Sequence, residues 1–151
     1  MKKLIEKLLN EALKKVREPI FNDNFRNWFN GSQVVDGQGN PLVCYHGTTK
    51  KISKFNRKYS AQGVFWFTSD KEKIIAGESG AANTSEIIPV FLSVKNLAGW
   101  DEYQKLGLGQ IRERGFDGIK LDDDYVIFEP TQIKSIYNNG DWDPNNKNIN
   151  K

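Results

Sequence analysis

The sequence predicts a small α+β domain with mainly antiparallel strands, and three observations carry that expectation. Short apolar runs of strand length (42–45, 64–68, 87–94, 118–121 and 125–128) alternate with helical stretches and turns of irregular length. None of the connections repeats a βαβ period, so a doubly wound parallel sheet does not fit. The chain of 151 residues is also long enough to bury roughly two-thirds of its unfolded surface in one core.

The elements follow in order. Residues 2–17 read as an amphipathic helix: Leu4, Ile5, Leu8, Leu9, Ala12, Leu13 and Val16 share a stripe, Glu11 and Lys15 pair at i,i+4, and Pro19 stops it. Its polar face mixes both charge signs, which favours packing on the domain or a partner over lying on a membrane surface. A short helix at 24–29 carries Trp28 and Phe29 as anchors. Asp36-Gly37-Gln38-Gly39-Asn40-Pro41 is a turn cluster between apolar runs and reads as a hairpin or tight loop. A strand over 42–45 leads into His46, and 47–62 is a polar, basic loop with one helical turn.

Residues 64–68 form an aromatic strand. Ser69-Asp70-Lys71-Glu72 then offers an N-cap with acids in the first turn, predicting a helix to about Gly77 and a loop over 77–85. The strand at 87–94 contains Pro89, which calls for a sheet edge or a bulge. Residues 101–114 read as one helix ending near Gly115. Strands at 118–121 and 125–128 flank the acidic turn Asp122-Asp123-Asp124, and 133–136 is a last strand. Rich in Asn, Asp and Lys, 138–151 is expected to be a poorly ordered tail. The division is therefore a helix at 1–20, a domain at 21–137 and a tail at 138–151.

Charge and composition narrow the function. The net charge of +3 arises in the first eighteen residues, six basic against three acidic; sixteen of each sign remain, so the body is neutral. Nothing demands a nucleic-acid footprint, which needs a basic stripe on the domain. One cysteine and one histidine allow no disulfide and no Cys-based zinc site, and no metal is expected. Cys44, mid-strand among hydrophobics, reads as a small core residue. Glu6, Lys7, Asn10 and Glu11 interrupt the N-terminal apolar stretch, so it is not a signal peptide, and no segment reaches membrane-spanning length. A cytoplasmic protein is expected.

Tyr45-His46-Gly47-Thr48 places an imidazole, a glycine backbone and a hydroxyl at one sheet edge, a combination suited to gripping a nucleotide. Alone, a single histidine is more often packed or solvated; an aromatic strand is usually core, and an Asp-rich turn is usually solvated. Order and spacing add more. Tyr45-His46-Gly47-Thr48, then Phe67-Thr68-Ser69-Asp70 with Ala76-Gly77, then Asp124-Tyr125-Val126-Ile127-Phe128-Glu129 with Gln132-Ile133 resemble the three H-Y-E motifs of ADP-ribosyltransferases of the diphtheria-toxin and poly(ADP-ribose) polymerase class. Further blocks from Phe25 onward, including Trp28-Phe29-Asn30-Gly31-Ser32, Gly39-Asn40-Pro41-Leu42-Val43, Phe128-Glu129-Pro130-Thr131-Gln132 and Asp143-Pro144-Asn145-Asn146, resemble the ADP-ribosyltransferase-like domains of phage and mobile-element polyvalent proteins.

The resemblance implies an ADP-ribosyltransferase fold of split, mainly antiparallel sheets with flanking helices, the N-terminal helix lying outside it. It implies NAD as co-substrate: His46 on the adenosine-side ribose, the Gly47 backbone on the nicotinamide amide, the Thr48 hydroxyl nearby, and Phe67 as the first nicotinamide-stacking ring. Asp124 is the carboxylate that binds the nicotinamide ribose and steadies charge as nicotinamide leaves, with Glu129 as its rival. Two departures stand out. Glu78 occupies the place of the second stacking tyrosine, for which Tyr59 or Trp66 are substitutes, and Asp124 stands where the class has Glu. The implied function is toxin-like mono-ADP-ribosyl transfer to a macromolecule, a protein rather than a nucleic acid, with no membrane involved. NAD hydrolysis and a non-catalytic NAD- or protein-binding module are the alternatives; RNA 2′-phosphotransfer is disfavoured by the few basic residues near the motifs. The 2–17 helix is a candidate for association with a second copy or an antitoxin-like partner.

Overall fold

A computed structural model describes residues 2–8, 18–77 and 85–151. Residues 2–8 are helical (α1) with Leu4, Ile5 and Leu8 exposed; the rest of the stripe expected over 2–17, from residue 9 on, lies outside the described residues, as does most of the 77–85 loop. Four further helices follow: α2 (Asp23–Phe29), α3 (Lys71–Ile75), α4 (Trp100–Lys105) and α5 (Leu108–Glu113). The strands are β1 (Cys44–Thr48), β2 (Phe65–Thr68), β3 (Glu86–Leu92), β4 (Leu97–Ala98), β5 (Gly118–Leu121), β6 (Asp124–Ile127) and β7 (Ile133–Ser135). They form one sheet in the order β4-β5-β6-β2-β1-β3-β7, antiparallel throughout except for β4 beside β5. The α+β class and the antiparallel pattern agree with the sequence. Among the described residues no helix is long and apolar enough to cross a membrane.

The sheet is split. β1 and β2 share a single residue pair, Tyr45 opposite Thr68, whereas β1 pairs with β3 over its whole length and β2 with β6 likewise. The two halves curl together around one core in which Val90, Leu92 and Ile133 meet Phe65, Phe67, Tyr125 and Ile127. They meet again at the far end, where Gln132 Nε2 donates to the Ser93 carbonyl (3.1 Å) and the Asp117 carbonyl (2.8 Å). On the outer faces, α4 and α5 cover the β5–β6–β2 half around Ile111, and α2 with Trp142 covers the β3–β7 half around Phe91.

Several expectations need correction. The single helix at 101–114 is two, broken at Leu106-Gly107, because glycine is a poor helix former and the corner lets Tyr103 and Leu106 on one side and Leu108 and Ile111 on the other reach the same cluster. β1 runs on through His46 to Thr48, since β3 supplies partners that far. Pro89 lies inside a strand with a neighbour on each side, yet the β7 ladder begins only at Val90, so its missing N–H falls beyond the last pair. β4 is two residues long and held by β5; a run that short carries no pattern.

The largest correction concerns 138–151, which is part of the fold. Trp142 is 1% exposed and Ile149 is buried with the main core. Asn138 Oδ1 accepts from the Gly140 and Trp142 N–H groups, and its Nδ2 donates to the Ile149 carbonyl. The buried Lys134 ammonium donates to the carbonyls of Asn146 (2.7 Å), Asn148 (3.2 Å) and Lys151 (2.7 Å). The Asn and Asp residues that gave a disordered composition are turn formers, bonding backbone two residues on.

Candidate active site

The site is the place where the sheet comes apart. The Thr48 carbonyl accepts from Ser85 N–H on the β3 side (3.1 Å), so strand alternation turns the peptide groups of Tyr45 and Gly47 toward β2. After Tyr45–Thr68 the next rung would join Gly47 to Trp66. That rung is not made. Instead His46 Nδ1 lies 2.8 Å from the Trp66 carbonyl. A carbonyl only accepts, so Nδ1 is the donor and the neutral ring keeps Nε2 as an acceptor. Burial lowers the His46 pKa below its ordinary value, against the opposing pull of the Trp66 bond, so the ring is neutral at pH 7. The imidazole stands edge-on to Phe55 (5.0 Å between centroids) and tilted against Phe67 (5.3 Å). The ladder thus leaves the Gly47 N–H and C=O facing the gap.

A cavity of about 330 Å³ opens beside His46, lined also by Thr48, Lys54, Phe55, Tyr59 and Trp66. Thr48 Oγ1 accepts weakly from Lys50 N–H (3.4 Å) and keeps its own proton to donate. A larger cleft of about 680 Å³ lies between α2 and α5, but its charged side chains and Gln132 are already engaged. Lys95 Nζ donates to Trp28, Asn30 and Ser93, Arg112 pairs with Glu129, and Gln132 makes the bonds that join the half-sheets. The smaller cavity, beside the split, is the better candidate.

Phe67 does not present a stacking face. It is 0% exposed, packed against Phe55 and the histidine ring, because strand alternation sends Phe65 and Phe67 into the shared core. The half-buried Trp66 points to the other face, toward Tyr103 (6.4 Å). Tyr59, 89% exposed on the cavity rim, is the freer ring. Glu78 lies outside the described residues.

Asp124 opens β6 in one lateral row with Thr68 and Tyr45. Two strand spacings put it roughly 10 Å from the Tyr45 backbone. It is half-buried, and among the described residues its Oδ1 is the one fully buried side-chain oxygen or nitrogen without a hydrogen-bond partner. Lys73 on α3, though slightly desolvated, has its pKa raised by the Asp124 and Asp123 carboxylates, with Nζ 3.5 Å from Asp123. Its role had no local signal, since its partners lie fifty residues on. Glu129 sits five residues further along, roughly 17 Å away, and its carboxylate is held by Arg112 and by Arg57 (3.6 Å). Glu129, the rival, is thus engaged by two arginines, whereas Asp124 keeps an oxygen without a partner. His46 and Asp124 therefore lie at the same end of the split but on opposite faces of the sheet, the imidazole beside the cavity on the core face and the carboxylate outside the cavity's lining, two strands away.

A family model described as ADP-Ribosyltransferase in polyvalent proteins matches residues 36–108, just under half of the chain, spanning β1 to β4 and the His46 end of the split. No curated protein and no solved structure matches the chain.

Proposed function

Because residues 36–108 match a family model described as ADP-Ribosyltransferase in polyvalent proteins, we propose that this chain is an NAD-dependent mono-ADP-ribosyltransferase. It breaks the bond between nicotinamide and ribose and passes ADP-ribose to a macromolecular acceptor, a protein in preference to a nucleic acid because the body of the chain is neutral. The observation that carries this reading is Asp124 Oδ1, a buried carboxylate oxygen with no donor, at the end of the split where His46 and Gly47 also offer unspent groups. A buried acceptor left without a donor is unfavourable by roughly 1–3 kcal/mol unless a ligand supplies one.

The chemistry fits the donor set. Gly47 N–H and C=O match the acceptor and donor of a carboxamide. His46 Nε2, an acceptor only, calls for a hydroxyl that donates, as ribose does. Asp124 takes a second ribose hydroxyl, and its charge steadies the positive charge that grows on the sugar as the C–N bond breaks. Nicotinamide leaves neutral with the bonding pair, and the acceptor's nucleophile forms the new bond to the same carbon and loses its proton. On this reading the ring wall is not Phe67; Tyr59 on the cavity rim is the ring on the His46 side that retains open surface, since the Trp66 ring turns to the other face.

Labelled NAD incubated with the full chain and a lysate should yield labelled protein. Asp124→Asn should reduce transfer on the order of a hundred- to a thousandfold while leaving the fold and NAD binding in place. Unchanged transfer would remove Asp124 from the chemistry. Nicotinamide release without labelled product would instead mean hydrolysis, and bound NAD without release a binding module.

A further inference from the structure

The segment 56–63 forms one wall of the His46 cavity through Asn56, Tyr59, Ser60 and Ala61. It is bracketed by two buried anchors, Phe55 in the shared core and Val64 under α4 and α5. Between them it consists of two 3₁₀ turns, Arg57–Tyr59 and Ala61–Gly63, neither of which buries a residue. Its hydrogen bonds among the described residues stay inside it or at its own borders. Asn56 Oδ1 caps Lys58 N–H, Ser60 N–H and Oγ donate to the Arg57 carbonyl, Gly63 N–H donates to Ser60, and Arg57 Nε donates to the Gly63 carbonyl (3.3 Å). Gln62 and Gly63 both adopt positive φ, the conformation that folds the segment back on itself. Among the described residues its one polar tie to the rest of the protein is Arg57 to Glu129, and Glu129 is itself fixed by Arg112 on α5.

We infer that 56–63 is a lid over the His46 cavity and that Glu129 is its catch. Glu129 then acts as a positioning residue: through Arg57 it decides how often the wall is in place, without touching substrate. The inference rests on the reading of the His46 cavity as the NAD site for its kinetic consequence, though not for the lid itself. Arg57 and Glu129 are about half exposed, so the catch is weak and open to screening by salt. Its loss should change the closed population by about two- to fivefold, which suits a wall that must admit and release a ligand.

Limited trypsin digestion of the full chain, scored by cleavage at Lys58, reads the lid without reference to NAD. Glu129→Gln and Arg57→Gln should each speed that cleavage by about two- to fivefold, Arg57→Lys should stay near wild type, and the double variant should add nothing to either single one. Raising salt from 0.05 to about 0.5 M should speed cleavage of the wild type and leave the Arg57→Gln protein unmoved. In NAD turnover the same variants should raise KM by a similar factor with kcat held. Equal cleavage rates across the set would overturn the lid. A fall in kcat at unchanged KM would overturn the positioning role and return Glu129 to the chemistry. If NAD is not consumed at all, the proposed function fails and the digestion still decides the lid.

Discussion

Trp142→Ala measures how far the C-terminal segment belongs to the domain. The indole is 1% exposed, with ring centroids 4.7 Å from Phe25, 5.6 Å from Trp28 and 6.2 Å from Phe91, and its Nε1 donates to the Ile20 carbonyl at 2.9 Å. Truncating a buried aromatic of this kind typically costs about 3–5 kcal/mol, the lost transfer energy plus the cavity left behind. The orphaned Ile20 carbonyl adds little, because Ile20 is 45% exposed and water can replace the indole. A domain of this size is stable by roughly 5–15 kcal/mol, so the variant should remain folded but melt about 6–20 °C lower. Urea unfolding followed by far-ultraviolet circular dichroism checks this, with Trp142→Phe as a control that keeps most of the volume and only loses the indole bond. A loss below about 1 kcal/mol for Trp142→Ala would refute the reasoning and make 138–151 a tail after all.

Gly118→Ala would place a Cβ 2.7 Å from Val94 Cγ1 and 3.3 Å from the Val126 carbonyl, so it should destabilise by about 1–3 kcal/mol, with Val94→Ala recovering part of the loss in a double-mutant cycle by urea unfolding. Affinity for NAD, measured by calorimetry, should hold through the range where an ordinary imidazole titrates and fall only at more acidic pH, because a protonated His46 offers two donors and no acceptor and burial holds its pKa below the ordinary value. Burial pulls the Lys134 pKa down to about 8, against the raising pull of Asp143 and Asp141. Above pH 8 the unfolded chain still binds the proton that the folded protein has shed, so stability should rise by up to about 2 kcal/mol between pH 7.5 and 9.5. Lys134→Met should flatten that slope in pH-dependent urea unfolding.

The sequence was legible where a local signal and a tertiary need coincide. Asp70 caps α3 as its position implied, accepting from Glu72 N–H, and the Asp36–Pro41 cluster closes a tight turn with Asp36 Oδ1 on Gln38 and Asn40. The period-two pattern fixed β2 and β6, and with them the row that holds Thr68 and Asp124. What could not be read depends on partners distant in sequence. Trp142 looks like part of a polar tail until α2 supplies Phe25 and Trp28. Phe67 aligns with a stacking ring by motif, yet its exposure is decided by Phe55 and by the curl of the sheet. Asp124 opens β6 and Glu129 lies just past its end; only the arginines at 57 and 112 separate a held acid from one with an unpartnered oxygen.

The histidine is intelligible as the reason the split exists as a site. In an unbroken ladder the Trp66 carbonyl would take the Gly47 N–H, and both strands would spend their polar groups on each other. His46 occupies that carbonyl with a side-chain donor, so the rung is withheld without leaving a buried acceptor unpaired. The same bond fixes the tautomer and leaves Nε2 as an acceptor, while the Gly47 peptide is left to bind something other than β2. An asparagine or lysine could also donate to Trp66, but neither would fill the wedge between Phe55 and Phe67 with a rigid ring. The binding groups of this site are the ones the sheet was prevented from using, and the residue that prevents it is one of them.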